Sequence, residues 1–350
     1  MQFKPLVSDS QVLVFKKNTS IFIINIHVDD IILATNDEEM RQKVLKVLRK
    51  EFLVKDLGPL TYYLGIKVET ADNVTKLSQS AYCEKLIDKF KMATANPSSV
   101  PGPPNLQVSK DEYPTSEKEK TEMRAKPFRS LVGSLMYSYI GTRPDIGSVL
   151  IKVASMSENP AKKHWKAAKM ILRYLKGSKG NALEYRGKLN ENGKVDIIVY
   201  SDSDWAQDRD DRKSISGFVV KLAGGPISWQ SRKQKTRAMS SCEAEFISLT
   251  EATKEVLWLT YFLDELGIEY NTPRIFTDSR SAMEWSKNAV HHQRTKHVAL
   301  KYFFVRDEVR NNRVKIEYIS TKDNEADIMT KSTVKSVFQK LAPRVMGRLF

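Results

Sequence analysis

Residues 191–350 read as three short strands followed by helix, strand, helix, strand, helix, and that order confines them to a mixed α/β sheet. VDIIVYSDSDW, SGFVVKL and PISWQSR are short β-rich runs separated by Gly, Asp and Pro. A long helix is expected over about Ser241–Leu266, with Phe246, Leu249, Thr253, Val256 and Leu257 on one stripe. PRIFTDS and VKIEYIS read as strands, each followed by a helix. Antiparallel hairpins therefore come first and helix-connected strands follow.

Upstream, residues 11–35 read as strand, turn, strand. QVLVFKK alternates, KNTS supplies turn chemistry, and IFIINIHVDDIILAT is rich in β-branched residues. A helix is expected from about Asp37 to Phe52, capped by Asn36 with Glu39 as its capping-box partner. Met40, Val44, Val47 and Leu48 make its apolar stripe. TYYLGIKVE resumes as a strand, and SQSAYCEKLIDKFKM reads as an amphipathic helix. The composition then changes: NPSSVPGPPNL and DEYPTSEKEK predict a linker or surface loop over about 95–125. Three helices are expected around 126–140, 145–157 and 161–176, separated at Arg143-Pro144 and Asn159-Pro160.

Hydrophobic residues make up 41% of the 350 and charged residues 28%, which excludes a wholly disordered chain. Lys and Arg number 57 against 42 acids, and the net charge of +15 favours a polyanionic partner, nucleic acid first. A membrane surface is the weaker alternative, because no basic amphipathic helix stands out. Two distant cysteines, Cys83 and Cys242, argue against a disulfide framework or a zinc ribbon. The apolar run IFIINIHV is too short to span a membrane, and MQFKPLVSDS has no apolar signal region. These features predict a soluble intracellular protein without a membrane partner. They do not distinguish cytoplasm from nucleus and leave the oligomeric state open.

Four acids sit where the C-terminal elements present them beside apolar sequence. Asp202 ends the strand IIVYSD, Glu245 lies on the long helix, Asp278 ends RIFTD, and Asp327 lies just inside the helix after VKIEYIS. If those strands are neighbours, Asp202 and Asp278 project from one end of the sheet, and the packed helix brings Glu245 beside them. Glu243 is assigned only a supporting or surface role. Carboxylates cannot gather in a half-buried cleft without a counter-charge. Two divalent ions supply it: Mg²⁺ favours oxygen ligands, with Mn²⁺ as a substitute. Two ions about 4 Å apart can activate a water and stabilise the leaving oxygen of a phosphodiester.

The stretch from YSDSDWAQDRDDRKSISGFVV through SCEAEFISLTEATKEVLWL, followed in order by IFTDSRSAMEWSKN, RTKHVALKYFFVRDEV and VKIEYISTKDNEADIMTK, resembles the ribonuclease H domain of copia-type LTR retrotransposon Pol polyproteins. PFRSLVGSLMYSYIGTRPDI and HWKAAKMILRYLKG resemble the segment joining polymerase to ribonuclease H in the same polyproteins. IHVDDIILATND with LGPLTYYLGIKV resembles the end of the reverse-transcriptase palm. The resemblance implies an α/β protein: an α+β palm remnant and a helical connection, then a ribonuclease H-like mixed-sheet domain. The corresponding divisions are 1–94, a linker 95–125, a helical segment 126–190, and 191–350. It places the acidic quartet on Asp202, Glu245, Asp278 and Asp327. The activity implied is cleavage of the RNA strand of RNA–DNA hybrids, leaving 3′-hydroxyl and 5′-phosphate ends, with hybrids chosen by 2′-hydroxyl contacts and duplex shape. The alternative is an inactive, nucleic-acid-binding remnant.

Asp29 and Asp30 are hard to place in a plain buried strand, since one would point inward; a hairpin tip would present both to a metal. In reverse transcriptases such a pair works with a third Asp from an upstream strand that this sequence does not contain, and His27 replaces the usual aromatic residue. No polymerase activity is expected from this chain alone; an RNA-directed DNA polymerase would require an upstream segment. SRKQKTR, residues 231–237, reads as a cationic loop before the Glu245 helix, where Arg232, Lys233, Lys235 and Arg237 would hold phosphates by charge. The lysines of HWKAAKMILRYLKG are candidates for a duplex track, while Trp165 reads as core. The resemblance also implies that His297, in RTKH, lies near the active site and helps product release; the family's usual acid shortly after it is replaced here by Ala299.

Overall fold

The computed structural model describes residues 3–187, 189–287 and 299–348. The chain forms two compact units: Met1–Tyr63 with Leu257–Glu269, and Leu64–Val256 with Tyr270–Phe350.

In the first unit, β1 (Lys4–Pro5), β2 (Val12–Lys17), β3 (Ser20–His27) and β4 (Asp30–Thr35) form an antiparallel meander in that order. Tight two-residue turns join β2 to β3 and β3 to β4. Asn18 and Val28 adopt positive φ there, 56° and 53°; Asn tolerates this region, whereas β-branched Val is strained in it. Strand alternation sorts the side chains: Phe22 and Ile24 pack on Val44 of α1 (Glu38–Glu51), while Ile23 joins Val12 and Leu266 on the opposite face. The helix cap is not Asn36. The Asp37 carboxylate accepts from Met40 N at 2.9 Å, because it stands one residue nearer the first turn. Asn36 instead accepts from Ile21 N and donates to the Thr19 carbonyl, both at 2.9 Å. A short β5 (Tyr62–Tyr63) closes this stretch.

The second unit opens with β6 (Ile66–Ala71) and β7 (Val74–Ser78), joined through Asp72 and Asn73. Both turn residues have positive φ, 50° and 59°, as a type I′ turn requires. Helix α2 (Ser80–Lys89) follows. The 95–125 stretch, expected as a linker or surface loop, carries α3 (Glu117–Arg124) and buries Leu106, Val108 and Met123. Leu106 N donates to Ser332 Oγ at 2.9 Å and Asn105 N to the Ser332 carbonyl at 2.8 Å, so contacts distant in sequence order this segment. Helices α4 (Phe128–Gly141), α5 (Gly147–Ala154) and α6 (Lys162–Gly177) lie close to their predicted positions, and β8 (Leu183–Tyr185) pairs with β7.

The remaining elements are β9 (Ile197–Ser203), β10 (Ile215–Leu222), β11 (Gly225–Lys233), α7 (Ser241–Leu266), β12 (Arg274–Thr277), α8 (Arg280–Lys287), α9 (Ala299–Arg310), β13 (Lys315–Tyr318), α10 (Asp327–Thr330) and α11 (Lys335–Val345). Five strands form a mixed sheet in the order β11-β10-β9-β12-β13. β9, β10 and β11 are antiparallel, and β12 runs parallel to β9 and β13, as the element order predicts. Helix α7 lies on one face, where Ser248 Oγ donates to the Asp202 carbonyl at 2.7 Å. On the other face Val219, Ile328, Met329, Phe338 and Leu341 share one core with Leu135, Ile146, Leu150 and Ile171 of the helical segment.

Gly217 controls how closely α10 approaches the sheet. It is the register partner of Asp202, and a Cβ built on it would stand 2.6 Å from Met329 Cβ and 2.8 Å from Thr330 Cγ2. Neither atom has room to retreat, since Met329 and Thr330 are fully buried. Gly217→Ala is therefore expected to lower stability by about 1–3 kcal/mol, the usual cost of overpacking a filled core. A urea midpoint unchanged from the parent chain would show that α10 yields freely.

Candidate active site

The sheet topology delivers three of the acids to one point. Asp202 is the next-to-last residue of the central strand β9, and only 1% of its surface is exposed. β12 pairs with β9 in the register Phe276↔Tyr200, so Asp278, two residues on, comes level with Asp202. Glu245 lies one turn before Ser248 on α7, on the face that packs against β9. Carboxylate oxygens of Asp202, Glu245 and Asp278 all lie within 4.8 Å of one another. Each acid is also oriented by a donor. Ser203 N donates to Glu245 Oε1 at 3.2 Å, Thr321 Oγ1 donates to Asp278 Oδ2 at 2.6 Å, and the Thr330 hydroxyl donates to Asp202 Oδ2.

Asp327 stands outside this three-acid group and is linked to it by a lysine. The Lys331 ammonium is 2.7 Å from Asp327 Oδ1 and 3.3 Å from Asp202 Oδ2. The loop leading to Asp327 is held by tertiary bonds. Asn324 Nδ2 donates to the Ser201 carbonyl at 3.0 Å, and Glu325 makes a buried 2.7 Å ion pair with Lys221 of β10. Reading the sequence for acids overlooked Lys331 and Thr330. The signal was the four-residue spacing of Asp327 and Lys331, which places opposite charges on one helical face.

The site suits a hard cation. All its donors are oxygens, and Glu245 Oε2 is buried with no hydrogen-bond partner among the described residues. An unpartnered buried carboxylate oxygen is costly unless something cationic completes it.

The other predicted residues fall elsewhere. Asp29 and Asp30 are exposed at the β3–β4 turn, and among the described residues no third metal-binding side chain joins them. Arg232 and Lys233 belong to β11 rather than to a loop, because the pairing Ile215↔Lys233 carries the strand that far. Lys233 is ion-paired with Asp208 at 2.6 Å and Asp211 at 3.0 Å, and Arg237 Nε donates to the Asp211 carbonyl at 2.6 Å. Arg232 and Lys235 are exposed and make no ion pair among the described residues. On α6, Lys163 pairs with Glu112, Arg173 Nε donates to the Asn96 carbonyl at 2.6 Å and Lys176 Nζ donates to the Ala95 carbonyl at 2.9 Å. Trp165 packs against the core. Glu243 helps cap α7: Ser240 Oγ accepts from its N–H at 3.1 Å, and its Oε2 accepts from Met239 N at 2.9 Å. His297 lies outside the described residues.

A family described as reverse transcriptase (RNA-dependent DNA polymerase) matches residues 1–103. The chain is 40% identical over 329 residues to the retrovirus-related Pol polyprotein from transposon TNT 1-94 of Nicotiana tabacum, covering 93% of this chain and 24% of that protein. It is 35% identical over 340 residues to the corresponding polyprotein from transposon RE1 of Arabidopsis thaliana, covering 97% of this chain and 22% of that one. Among solved structures, the N-terminal RNase H domain of Rv2228c from Mycobacterium tuberculosis aligns with a TM-score of 0.29 at 17% identity, over 42% of this chain and 99% of that one. The chain belongs to the copia-type retrotransposon Pol polyproteins. It spans less than a quarter of the length of these two relatives.

The crowding of charge shows in the titration of the acids. Burial, followed by the charges of Asp327 and Asp278, pushes Asp202 up to about 7 against the pull of Lys331. Burial and the charges of Asp202 and Asp278 raise Glu245 well above the carboxylate range. Burial works against the Lys331 charge, but Asp202 and Asp327 outweigh it and keep the ammonium protonated. Asp202 thus titrates higher in the folded than in the unfolded chain, whose reference value is 3.8. Well below pH 4 it is neutral in both states; between about pH 4 and 7 the unfolded chain ionises while folded Asp202 holds its proton, so stability falls across that window and levels off above it. In chelator, Asp202→Asn is expected to gain stability over the parent chain between pH 4 and 8, with the gain developing through that window. Urea midpoints showing the same difference at both ends would contradict it.

Proposed function

We propose that this chain is a metal-dependent endoribonuclease of the ribonuclease H type, cutting the RNA strand of RNA–DNA hybrids. The observation that carries the reading is the convergence of Asp202, Glu245 and Asp278 at the end of β9, with Glu245 Oε2 buried and, among the described residues, unpartnered. These three would hold Mg²⁺, with Mn²⁺ as a substitute, and Asp327 would complete the set. Such ions, when bound, supply Lewis acidity at the phosphodiester. The chain's own part is to hold the carboxylates in place. Ser203 N–H fixes Glu245, Thr321 fixes Asp278, and Thr330 with Lys331 fixes Asp202. Arg232 and Lys235 would hold phosphates without reading bases, and duplex shape with the 2′-hydroxyl would select the hybrid.

Incubated with labelled hybrid and Mg²⁺, the chain is expected to cut only the RNA strand, and Asp278→Asn to lose at least about 100-fold in rate, the scale for one electrostatic contact to a transition state. Equal cutting by the variant would refute the assignment. Salt-dependent hybrid binding without cleavage in either Mg²⁺ or Mn²⁺ would select the inactive, nucleic-acid-binding alternative. Arg232→Ala and Lys235→Ala should each weaken hybrid binding at every sequence and reduce the slope of log affinity against log salt by about 1. An unchanged slope would remove that residue from the interface.

A further inference from the structure

Part of the acidic site is neutralised by the chain itself. The Lys331 ammonium lies between Asp202 and Asp327, 3.3 Å from one carboxylate and 2.7 Å from the other. A Mg²⁺ ion shared by these two side chains would sit about 2.0–2.1 Å from an oxygen of each, which is the space the ammonium occupies. The two cations could not stand there together, because contact distance and mutual repulsion in a partly buried site both forbid it. The ammonium reaches both Asp202 oxygens, Oδ1 at 3.4 Å and Oδ2 at 3.3 Å, but among the described residues it pairs with neither Glu245 nor Asp278, and Glu245 Oε2 has no hydrogen-bond partner there, so the position on Glu245 and Asp278 is open to an ion while the lysine stays in place.

We infer that Lys331 serves as a built-in cation, so that the free protein takes one divalent ion, on Asp202, Glu245 and Asp278, and admits a second between Asp202 and Asp327 only when the ammonium is withdrawn. This rests on the metal-dependent reading above. The build of the lysine suits such a role. Its backbone is fixed, its N–H donating to the Asp327 carbonyl and its own carbonyl accepting from Ser148 Oγ, both at 3.0 Å. Its side chain retains 30% exposure, which leaves the ammonium a route to solvent or to a phosphate. The lysine is thereby a positioning residue and a gate on metal stoichiometry.

The test counts Mn²⁺ bound to the whole chain by electron paramagnetic resonance, without nucleic acid. The parent chain is expected to bind one ion that Asp278→Asn removes. Lys331→Met, and independently Lys331→Gln, should bind two, while Lys331→Arg keeps the charge and should bind one. Circular dichroism spectra matching the parent would establish that each variant is folded, and either neutral variant suffices. Two ions on the parent chain, or one on a folded neutral variant, would overturn the gating role and leave the metal-dependent reading standing. No ion sensitive to Asp278→Asn would overturn that reading itself.

Discussion

Mutual repulsion among carboxylates at the end of a buried strand is the constraint to which the second unit is built. Asp202 is inside because β9 is the central strand, flanked by β10 and β12. Its charge is disfavoured there by burial and again by Asp327 and Asp278. The protein manages this by giving each acid a donor: Thr330 and Lys331 for Asp202, the Ser203 amide for Glu245, Thr321 for Asp278 and Lys331 again for Asp327. Those bonds hold the acids where repulsion would otherwise spread them. The remaining negative charge is what a bound cation would offset.

Much of this was legible in the sequence, and the reasons differ from residue to residue. Asp202 and Asp278 could be placed because β-branched runs ending in Asp mark strand ends, and parallel pairing of neighbours brings two such ends level. Helix α7 falls on Ser241–Leu266 as predicted because its apolar stripe is unbroken. Asp327 was expected to join the site, but its environment depends on Asn324 reaching the Ser201 carbonyl and Glu325 reaching Lys221, more than 100 residues away. No local pattern encodes those bonds. The same holds for 95–125. Proline and charge dominate its composition, and burial of Leu106 and Val108 depends on partners such as Ser332. Arg232 and Lys233 were misplaced because charge density resembles a loop, whereas the ladder to β10 decides the matter.

The basic surplus that pointed to nucleic acid is distributed less simply than a count suggests. Lys233 and the α6 cations Lys163, Arg173 and Lys176 are engaged with acids or carbonyls of the fold itself. Lys331 and Lys221 are drawn into the acidic region and pair there. These contacts leave the net +15 unchanged, since each ion pair removes one charge of each sign, but they fix where the surplus lies. A cation can thus be structural, electrostatic or ligand-directed depending on which acid lies within 3 Å of it, and composition alone does not distinguish these.

The helical segment that precedes the mixed sheet is also part of the site's support. Val219 of β10, Met329 of α10 and Phe338 of α11 pack into the same core as Leu135, Ile146, Leu150 and Ile171. Gly147 lies where a Cβ would stand 3.0 Å from Met329 Cε, and Ser148 Oγ donates to the Lys331 carbonyl at 3.0 Å. α5 thus backs the turn that carries Thr330 and Lys331. A piece of chain starting near residue 190 would keep all four acids yet lose this backing and expose the apolar face of α10. By the area rule for buried side chains, each large residue so uncovered forfeits about 1.5–3 kcal/mol. The chemistry of the site belongs to residues 202–331, but the stability that holds its geometry comes in part from α4, α5 and α6.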